Sequence, residues 1–426
     1  MIRACISTLL AIASLPVFSH SSVVVNKNLD SRGVVTEIII SGSDFGTKAA
    51  PVFYDQVGTT YEKGIPNSYF NSFLPDRMIT QQDTMGNTSS PWSNSYGSLY
   101  IRNDPAIVRG PATGKYYNGL GVKVNLQNPR VHPRSGTPQE SKKVYISWWF
   151  RQQNETRNYF QFELSNIDAE FNPKEGDEFT VDAGAHWSGV TTVYGRVIAY
   201  YPATKILHAN YYGQYNTNRL TGNRLTLNVS NKSATLAVNT RGPGSNKYIR
   251  VWESDGTEGT FRSSWTNSQV YQADLITWPR SNVLPREWNH MEYFADQTKN
   301  YIKTKVNGVL DMEGTYTTPS DVAGHSPTIG LIGQDVTQTE MHQEIWMDDI
   351  YMDGSFKRVV LGNAPKYADV THQEVQFFTS WTDTEIKFSP YYGSLDRKLP
   401  AYIYIFSEDD VPNSEGIAFE SPPKMN

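Results

Sequence analysis

The clearest pattern in the sequence is a period of two, in which large apolar side chains alternate with polar ones. Residues 342–351 show it best, because Ile345 and Met347 occupy alternate positions there. Glu344 precedes Ile345, and Trp346 lies between Ile345 and Met347, so both would point to the opposite side. The segment contains no glycine or proline, which favours a strand. We therefore predict a central β-strand with one face in the core and a polar face opposite.

The same alternation runs through residues 144–152. Trp148 and Phe150 fall on one side of this segment, and Trp149 and Arg151 fall on the other. Both sides carry large side chains, so we expect one side to pack in the core and the other to line a groove.

The phase of these strands predicts which side chains are buried. Residues 159–164 repeat the alternation with Phe162 on the apolar side. Five side chains are expected in a core between two sheets: Trp148, Phe150, Phe162, Ile345 and Met347. Three are expected outside that core: Trp149, Arg151 and Glu344. A shift of one residue would exchange the two faces.

Short alternating segments continue along the chain, punctuated by turn residues at the intervals typical of a sandwich. A tryptophan strand at 288–294, a strand at 301–306 ending in the turn Asn307-Gly308, and the aspartate-bearing strand 342–351 follow in that order. This order resembles the second half of a concanavalin A-like (laminin G-like) jelly roll. The resemblance implies an all-β fold, namely a concanavalin A-like jelly-roll sandwich with a small immunoglobulin-like flanking module.

The two ends of the chain have a pattern of their own. Residues 40–46, Ile-Ser-Gly-Ser-Asp-Phe-Gly, are similar to the opening of IPT/TIG-type immunoglobulin-like domains. The strand at 401–406 resembles the last strands of such a domain. Whether head and tail form one module is open at this point. The predicted divisions are a signal peptide at 1–20, an immunoglobulin-like segment at 23–59, the jelly-roll sandwich at 60–355 and a C-terminal immunoglobulin-like segment at 356–426.

The N-terminus has the layout of a signal peptide. Arg3 provides a positive charge, and the apolar run Ala4 to Leu15 follows it. Cys5, the single cysteine, would leave with this peptide, so the mature chain would contain no thiol or disulfide. We therefore expect a secreted or periplasmic protein.

Composition and charge narrow the classes of partner. The 426 residues carry a formal net charge of -5, which gives no reason to expect nucleic acid binding. No run after the N-terminus has the length of a membrane span. The 13% of aromatic residues is typical of secreted all-β proteins.

The polar face of the predicted strands collects rings and charged groups suited to sugars. Aromatic rings stack on the apolar faces of sugars, and guanidinium groups pair bidentately with carboxylate or sulfate groups. Scattered aromatic residues are also ordinary on protein surfaces. The alternative is that several of these residues only cover the sheet and bind nothing. The substrate-binding candidates are Trp149, Arg151, Tyr194, Glu292, Glu344 and Trp346.

Catalysis is an open possibility that follows from the resemblance. Jelly-roll polysaccharide lyases use a Tyr or His to remove the proton next to a uronate carboxyl group. An Arg, Asn or Gln side chain neutralises that carboxylate. The candidates for these roles are His290, Tyr212, Arg196 and His208. We expect them on one concave sheet face with the binding residues. The alginate-lyase motifs Gln-Ile-His and Arg-x-Glu-Leu-Arg are missing.

Metal and cofactor binding have weak support. Ca²⁺ would require oxygen ligands, which Asp348, Asp349 and Asp353 or the pair Asp409-Asp410 offer. Neither group has the spacing of a calcium loop, and solvated loop carboxylates explain both equally simply. The histidines form no zinc-binding motif, and no nucleotide-binding glycine motif occurs. We expect no cofactor and no metal.

These patterns predict a secreted β-sandwich protein that recognises a polysaccharide, with an acidic glycan as the expected partner. One alternative is a polysaccharide lyase or glycoside hydrolase of jelly-roll type. Another is a cell-surface adhesion or structural protein without catalysis. A trough with converging polar groups would favour a glycan, and a flat apolar patch or open edge strand would favour a protein partner.

Overall fold

A computed structural model describes most of the chain between Val23 and Phe419. The described residues are 23–49, 51, 53–57, 78–79, 94–110, 113–128, 143–153, 159–182, 192–211, 220–241, 247–252, 262–266, 270–271, 274–277, 283–296, 298–315, 328–335 and 343–419. The predicted signal peptide lies outside them. Within these ranges no helix has both the length and the apolar character needed to cross a membrane.

The chain divides into two compact units. The larger unit is Pro51–Ser355, and the smaller unit combines Met1–Ala50 with Phe356–Asn426. Strands are numbered along the chain, and the smaller unit begins with β1 (Val24–Leu29) and β2 (Val35–Ser41). The strands of the larger unit are β3 (Phe53–Asp55), β4 (Met78–Ile79), β5 (Asn94–Arg102), β6 (Tyr116–Asn128), β7 (Lys143–Gln152), β8 (Tyr159–Ser165), β9 (Glu178–Asp182), β10 (Thr192–Tyr201), β11 (Ile206–Tyr211), β12 (Arg224–Leu227), β13 (Ser233–Arg241), β14 (Lys247–Trp252), β15 (Arg262–Thr266), β16 (Val270–Tyr271), β17 (Asp274–Thr277), β18 (Asn289–Asp296), β19 (Tyr301–Val306), β20 (Val309–Thr315), β21 (Thr328–Asp335) and β22 (Gln343–Asp353). The smaller unit continues with β23 (Arg358–Gly362), β24 (Gln373–Gln376), β25 (Phe378–Trp381), β26 (Glu385–Phe388), β27 (Ala401–Phe406) and β28 (Ile417–Phe419), and with a short 3-10 helix at Tyr367–Asp369.

Most strands of the larger unit belong to one antiparallel sheet. Its main path runs β16-β15-β14-β21-β6-β22-β7-β18-β19-β20-β17, with β3, β4 and β5 joined to it. The two halves of this path pack face to face, since Trp148 on β7 meets Trp265 on β15 with ring centres 5.9 Å apart. The all-β sandwich predicted from the alternation is therefore confirmed.

Strand β22 lies at the centre of this sheet, as the sequence predicts. It pairs with β6 on one side and with β7 on the other. The register shifts between Asp348 and Tyr351, and Asp349 has a φ of 45°, so a β-bulge interrupts the strand at the two aspartates. After the bulge the side chains of β22 resume the same two faces.

The predicted phase of β7 and β22 is confirmed. Trp148, Phe150, Ile345 and Met347 all belong to the buried core of the sandwich. The predicted hairpin is also present, because Asn307 and Gly308 take φ angles of 52° and 76° between β19 and β20. Those left-handed angles suit an Asn-Gly pair.

Phe162 corrects the prediction of a single core. It is buried, but in a second core enclosed by a closed barrel in the order β10-β11-β8-β13-β12-β9. Phe179, Leu207 and Leu225 share that core. Alternation shows that a strand has a buried face, but it cannot show which core the face joins. Strands β8 to β13 therefore enclose a core separate from that of the sandwich.

The smaller unit is a sandwich of two four-stranded sheets. One sheet has the order β1-β2-β26-β25 and the other the order β24-β23-β27-β28. Its core draws Ile38 and Phe388 from the first sheet and Leu361 and Ile403 from the second. Since β2 pairs directly with β26, strands from the head and the tail of the chain share one sheet.

Candidate functional site

The polar face of the central sheet concentrates charged and aromatic side chains. Trp149 on β7 is paired in register with Asp348 on β22 and with His290 on β18. Glu292 follows two residues after His290 and therefore lies on the same face. This face is opposite the apolar core, as the alternation predicts.

Arg109 covers the middle of this face from a loop. The loop is held by Trp288, whose indole Nε1 donates a 2.7 Å hydrogen bond to the carbonyl oxygen of Ile107. The buried guanidinium of Arg109 lies 4.4 Å from the centre of the Trp149 ring. Its Nε is 3.5 Å from an Asp348 carboxylate oxygen, and its Nη2 binds Asp349. The single positive charge of Arg109 is thereby shared between the two buried carboxylates at the bulge.

His290 and Glu292 continue this buried network. The imidazole of His290 stacks at 5.2 Å from Trp149, and its Nδ1 is 3.9 Å from a Glu292 oxygen. The other oxygen of Glu292 accepts a 2.9 Å hydrogen bond from the hydroxyl group of Tyr145. The side chains of His290 and Glu292 are 4% and 0% exposed. Both side chains are therefore enclosed within the face rather than presented at its surface.

A second group of residues on the same face includes two that stay within reach of solvent. We name it the Arg151 row, after four residues that are neighbours in register across β5, β6, β22 and β7: Tyr100, Asn118, Trp346 and Arg151. At about 4.8 Å between strands the row is about 14 Å long. Tyr100 and Arg151 are half-buried, whereas Trp346 and Asn118 are buried.

Arg151 is held in one orientation within the row. Its guanidinium lies 5.1 Å from the centre of the Trp346 ring. Its Nε is buried and has no hydrogen-bond partner among the described residues. Contact with the indole ring restricts the rotation of a long side chain and presents the flat guanidinium group at a fixed place.

Asn118 and Glu344 form a polar pair beside Arg151. The Asn118 amide donates a 2.8 Å hydrogen bond to the Glu344 carboxylate and a 3.2 Å bond to the carbonyl oxygen of Ile345. Glu344 itself is half-buried, so part of its carboxylate faces solvent. The row thus offers a guanidinium donor and a carboxylate acceptor close together.

Tyr116 lies on the same face of β6, two residues before Asn118, and is 2% exposed. Burial raises the pKa of Tyr116 to about 12, and the charges of Asp104 and Glu344 act in the same direction. Its ring meets Trp288 edge-on at 6.3 Å. The phenol is therefore protonated near neutral pH and is a hydrogen-bond donor rather than a base.

The single concave site predicted from the alternation is wrong in part. Tyr194 and Arg196 lie on β10 and His208 on β11, all in the barrel with its separate core. Tyr194 and Arg196 point outward there, and Arg196 is 3.6 Å from Glu178. His208 is buried against Tyr201 at 5.2 Å. Alternation assigns a face to each strand, but sheet membership depends on pairing between distant segments, which the pattern does not contain.

The remaining site residues divide as follows. The structure places six of them on the polar face of the central sheet: Trp149, Arg151, His290, Glu292, Glu344 and Trp346. Tyr212 lies outside the described residues. Trp149 and Trp346 were expected to stack on sugars, but they are 5% and 7% exposed and have guanidinium groups over their rings.

Sequence reasoning missed Arg109, Asn118 and Tyr100. Asn118 and Tyr100 lie on strands whose alternation is weak, because their neighbours include Gly119 and Ser98. Arg109 lies in a loop, where no periodicity predicts direction. Its role becomes visible only in the contact with Trp149.

Metal binding receives no support from the geometry. Among the described residues, no group of three or more His, Cys, Asp and Glu side chains is arranged to hold a metal ion. Asp349 binds Arg109, Asp353 accepts a 2.5 Å hydrogen bond from Tyr351, and Asp410 is 2.6 Å from Arg358. The expectation that the protein has no metal and no cofactor stays a prediction.

No family model matches the chain, and the search of curated proteins found no relative. Among solved structures the chain is similar to alginate lyase Aly36B, with 10% identity over 66% of this chain and 93% of the lyase and a TM-score of 0.28. It is similar to the binding domain of botulinum neurotoxin DC in complex with SialylT, with 9% identity over 79% and 71% of the two chains and a TM-score of 0.23. The carbohydrate esterase vb_24B_21 from Shiga toxin-encoding bacteriophage phi24B matches with 9% identity over 61% and 88% and a TM-score of 0.24. Identities and scores this low add no weight to any function of this chain.

Proposed function

We propose that this protein binds an anionic polysaccharide along the Arg151 row of the larger unit. The observation that carries the proposal is the half-buried residue Arg151, whose guanidinium is held 5.1 Å from the ring centre of Trp346. A planar guanidinium presents parallel N–H donors that match the two oxygens of a carboxylate or sulfate group. Because the side chain is already ordered, binding loses less conformational entropy.

The neighbours of Arg151 complement the rest of a sugar. Glu344 accepts hydrogen bonds from hydroxyl groups, and its position is fixed by the 2.8 Å bond from Asn118. Tyr100 adds a half-buried ring at the other end of the row. A row about 14 Å long accommodates several contacts to one chain. Charge selects the glycan, and the hydroxyl contacts orient it.

Binding is favoured over turnover by the burial of the acid–base candidates that the structure describes. A general base must come within hydrogen-bond reach of the proton that it removes. His290 and Glu292 are enclosed beside Trp149, and their side chains are at most 4% exposed. Tyr116 has a raised pKa of about 12 and keeps its proton. These groups support a recognition protein without catalysis.

The test is a binding panel with matched arginine variants of the full-length protein. Alginate, polygalacturonate and a sulfated glycan are titrated beside a neutral glucan. We expect saturable binding of one or more anionic polymers and none of the glucan. Arg151→Ala should weaken this binding by about tenfold or more, which corresponds to about 1.4 kcal/mol. Arg151→Lys should restore only part, since lysine lacks the bidentate geometry.

Arg196→Ala is the matched control. It removes an exposed arginine from the barrel, on a different sheet from the row. We expect this variant to bind as the wild type does. Equal affinities of wild type, Arg151→Ala and Arg196→Ala for every anionic polymer would end the proposal. Release of unsaturated uronate or of new reducing ends would show that the protein is catalytic and would end that part of the proposal.

A further inference from the structure

The smaller unit contains a cleft that the proposed glycan site does not use. Its volume is about 300 Å³. It is formed by three connecting segments at one end of the sandwich: residues 44–46 after β2, the turn after β25 that contains Asp383, and residues 407–409 after β27. Loops gathered at one end of a sandwich form a natural ligand site because a rigid pair of sheets positions them.

The base of the cleft is apolar and aromatic. Phe45, Trp381, Ile405 and Phe406 line it, and each is at most 5% exposed. The ring of Trp381 is oriented by its Nε1, which donates a 3.2 Å hydrogen bond to the carbonyl oxygen of Phe45. A ligand that enters the cleft therefore meets the edges of a fixed apolar base.

The rim of the cleft is strongly acidic. Asp44, Asp383 and Asp409 are exposed, and Glu408 is half-buried. Lys357 is the cation among the lining residues. Lys48 adds a second ammonium group over the ring of Trp381, so four carboxylates stand against two cations, and the remaining negative charge attracts cations and repels anions.

The walls are already ordered without a ligand. Asp383 accepts a 3.0 Å hydrogen bond from the N–H of Gly46 with its side chain and a 3.1 Å bond from Phe45 with its carbonyl oxygen. The lining residue Phe406 has the guanidinium of buried Arg358 3.7 Å from its ring centre, and Arg358 in turn pairs with Asp410 at 2.6 Å. A preorganised cleft loses little entropy when a ligand binds.

Two lysines of the chain already dock alkylammonium groups at this end of the unit. Lys357 donates a 3.0 Å hydrogen bond to the carbonyl oxygen of Phe45. Lys48 lies 5.2 Å from the ring centre of Trp381 and 4.6 Å from that of Phe378. Two groups at the base of the cleft, the carbonyl oxygen of Phe45 and the ring of Trp381, thus already contact ammonium groups, the first as a hydrogen-bond acceptor and the second by cation–π contact.

We propose that the cleft binds an alkylammonium group, with its aliphatic stem on the aromatic base and its charge among the rim carboxylates. Such a group belongs to the lysine side chain of a protein or to a free polyamine. A metal ion would need a shell of oxygen ligands, and none of the described residues are clustered in that way. The proposal concerns the smaller unit and does not depend on glycan binding.

The test is a titration of the full-length protein, followed by calorimetry and ligand-observed NMR. The probes are N-acetyl-lysine methylamide, spermidine and a lysine-containing peptide. N-acetyl-norleucine methylamide is the neutral control, with a similar stem and no charge. We expect saturable binding of the charged probes and none of the norleucine compound. Tighter binding of the peptide than of the lysine derivative would identify a protein as the partner. Tighter binding of spermidine than of the lysine derivative would identify a polyamine.

Matched carboxamide variants locate the site. Asp44→Asn and Asp409→Asn remove rim charges with little change of shape, and each should weaken binding by about threefold, and together by about tenfold, as expected for exposed charge pairs. Asp369→Asn, which neutralises an exposed aspartate of the same unit outside the cleft, should leave affinity unchanged. The proposal is overturned if no charged probe binds saturably, or if the double variant binds as well as Asp369→Asn.

Discussion

The guanidinium of Arg109 lies 4.4 Å from the centre of the Trp149 ring, so a loop side chain closes the polar face of the central sheet. The same group is the cation beside both Asp348 and Asp349 at the bulge of β22. Burial of two carboxylates is costly unless a cation accompanies them. The contact therefore separates an interior charge network from the open Arg151 row beside it.

Removal of Arg109 should destabilise the larger unit strongly. Arg109→Ala leaves two carboxylates buried without their cation, and the loss in the free energy of unfolding should be about 3–5 kcal/mol. Arg286→Ala is the control, because Arg286 pairs with Glu175 on the surface with its side chain 60% exposed, and such pairs contribute about 1 kcal/mol or less. Urea unfolding measures both. A similar small loss in both variants would show that the network is not important for stability.

The two cores should respond separately to truncation. Phe150→Ala and Phe162→Ala each remove a fully buried ring, and each should cost about 3–5 kcal/mol of unfolding free energy. Hydrogen exchange of the variants should distinguish the cores. Phe162→Ala should accelerate exchange in the barrel strands β8–β13, and Phe150→Ala in β7, β18 and β22. Acceleration of both sets by either variant would contradict separate cores.

Tyr116 should make the protein less stable in alkaline solution. The phenol of the unfolded chain ionises near pH 10, whereas burial raises the pKa of Tyr116 to about 12 in the folded protein. Between these values the folded state binds the proton that the unfolded state has lost, so the free energy of unfolding falls as the pH rises. Tyr116→Phe should lessen this fall between about pH 10 and 12 in urea unfolding. Identical pH dependence of the variant and the wild type would refute it.

Gly393 should tolerate substitution less well than Gly33. Both have positive φ angles, 50° and 79°, so alanine at either position is strained by about 1–2 kcal/mol. A Cβ at Gly393 would also lie 2.3–2.6 Å from the buried carboxylate of Glu374, whereas at Gly33 it would meet open space. Gly393→Ala should therefore lower the free energy of unfolding by clearly more than Gly33→Ala. Equal losses would show that Glu374 moves aside freely.

Glycan binding at the Arg151 row should weaken with salt. Exposed charge pairs are screened over about 10 Å at 0.1 M ionic strength, and this distance shortens as salt is added. The affinity of the wild type for an anionic polymer should therefore fall between low and high salt. Arg151→Ala should show a shallower dependence. A salt-independent affinity in the wild type would point to hydroxyl contacts rather than charge.

Local sequence pattern determined the strands, their phase and their turns. Ile345 and Met347 face the core and Glu344 and Trp346 the polar face, because a strand places successive side chains on opposite sides. Asn307-Gly308 forms a hairpin, because both residues accept left-handed backbone angles at low cost. These outcomes depend on residues a few positions apart, so a single sequence contains them.

Only the tertiary structure decided which strands share a sheet and which charges meet. Arg196 and Arg151 have the same alternation around them, yet the first lies on a barrel and the second beside Trp346. Arg109 reaches Asp349 across 240 positions of the chain. Such contacts arise from the closure of long loops and from the packing of whole faces. The periodicity within one segment predicts neither of these.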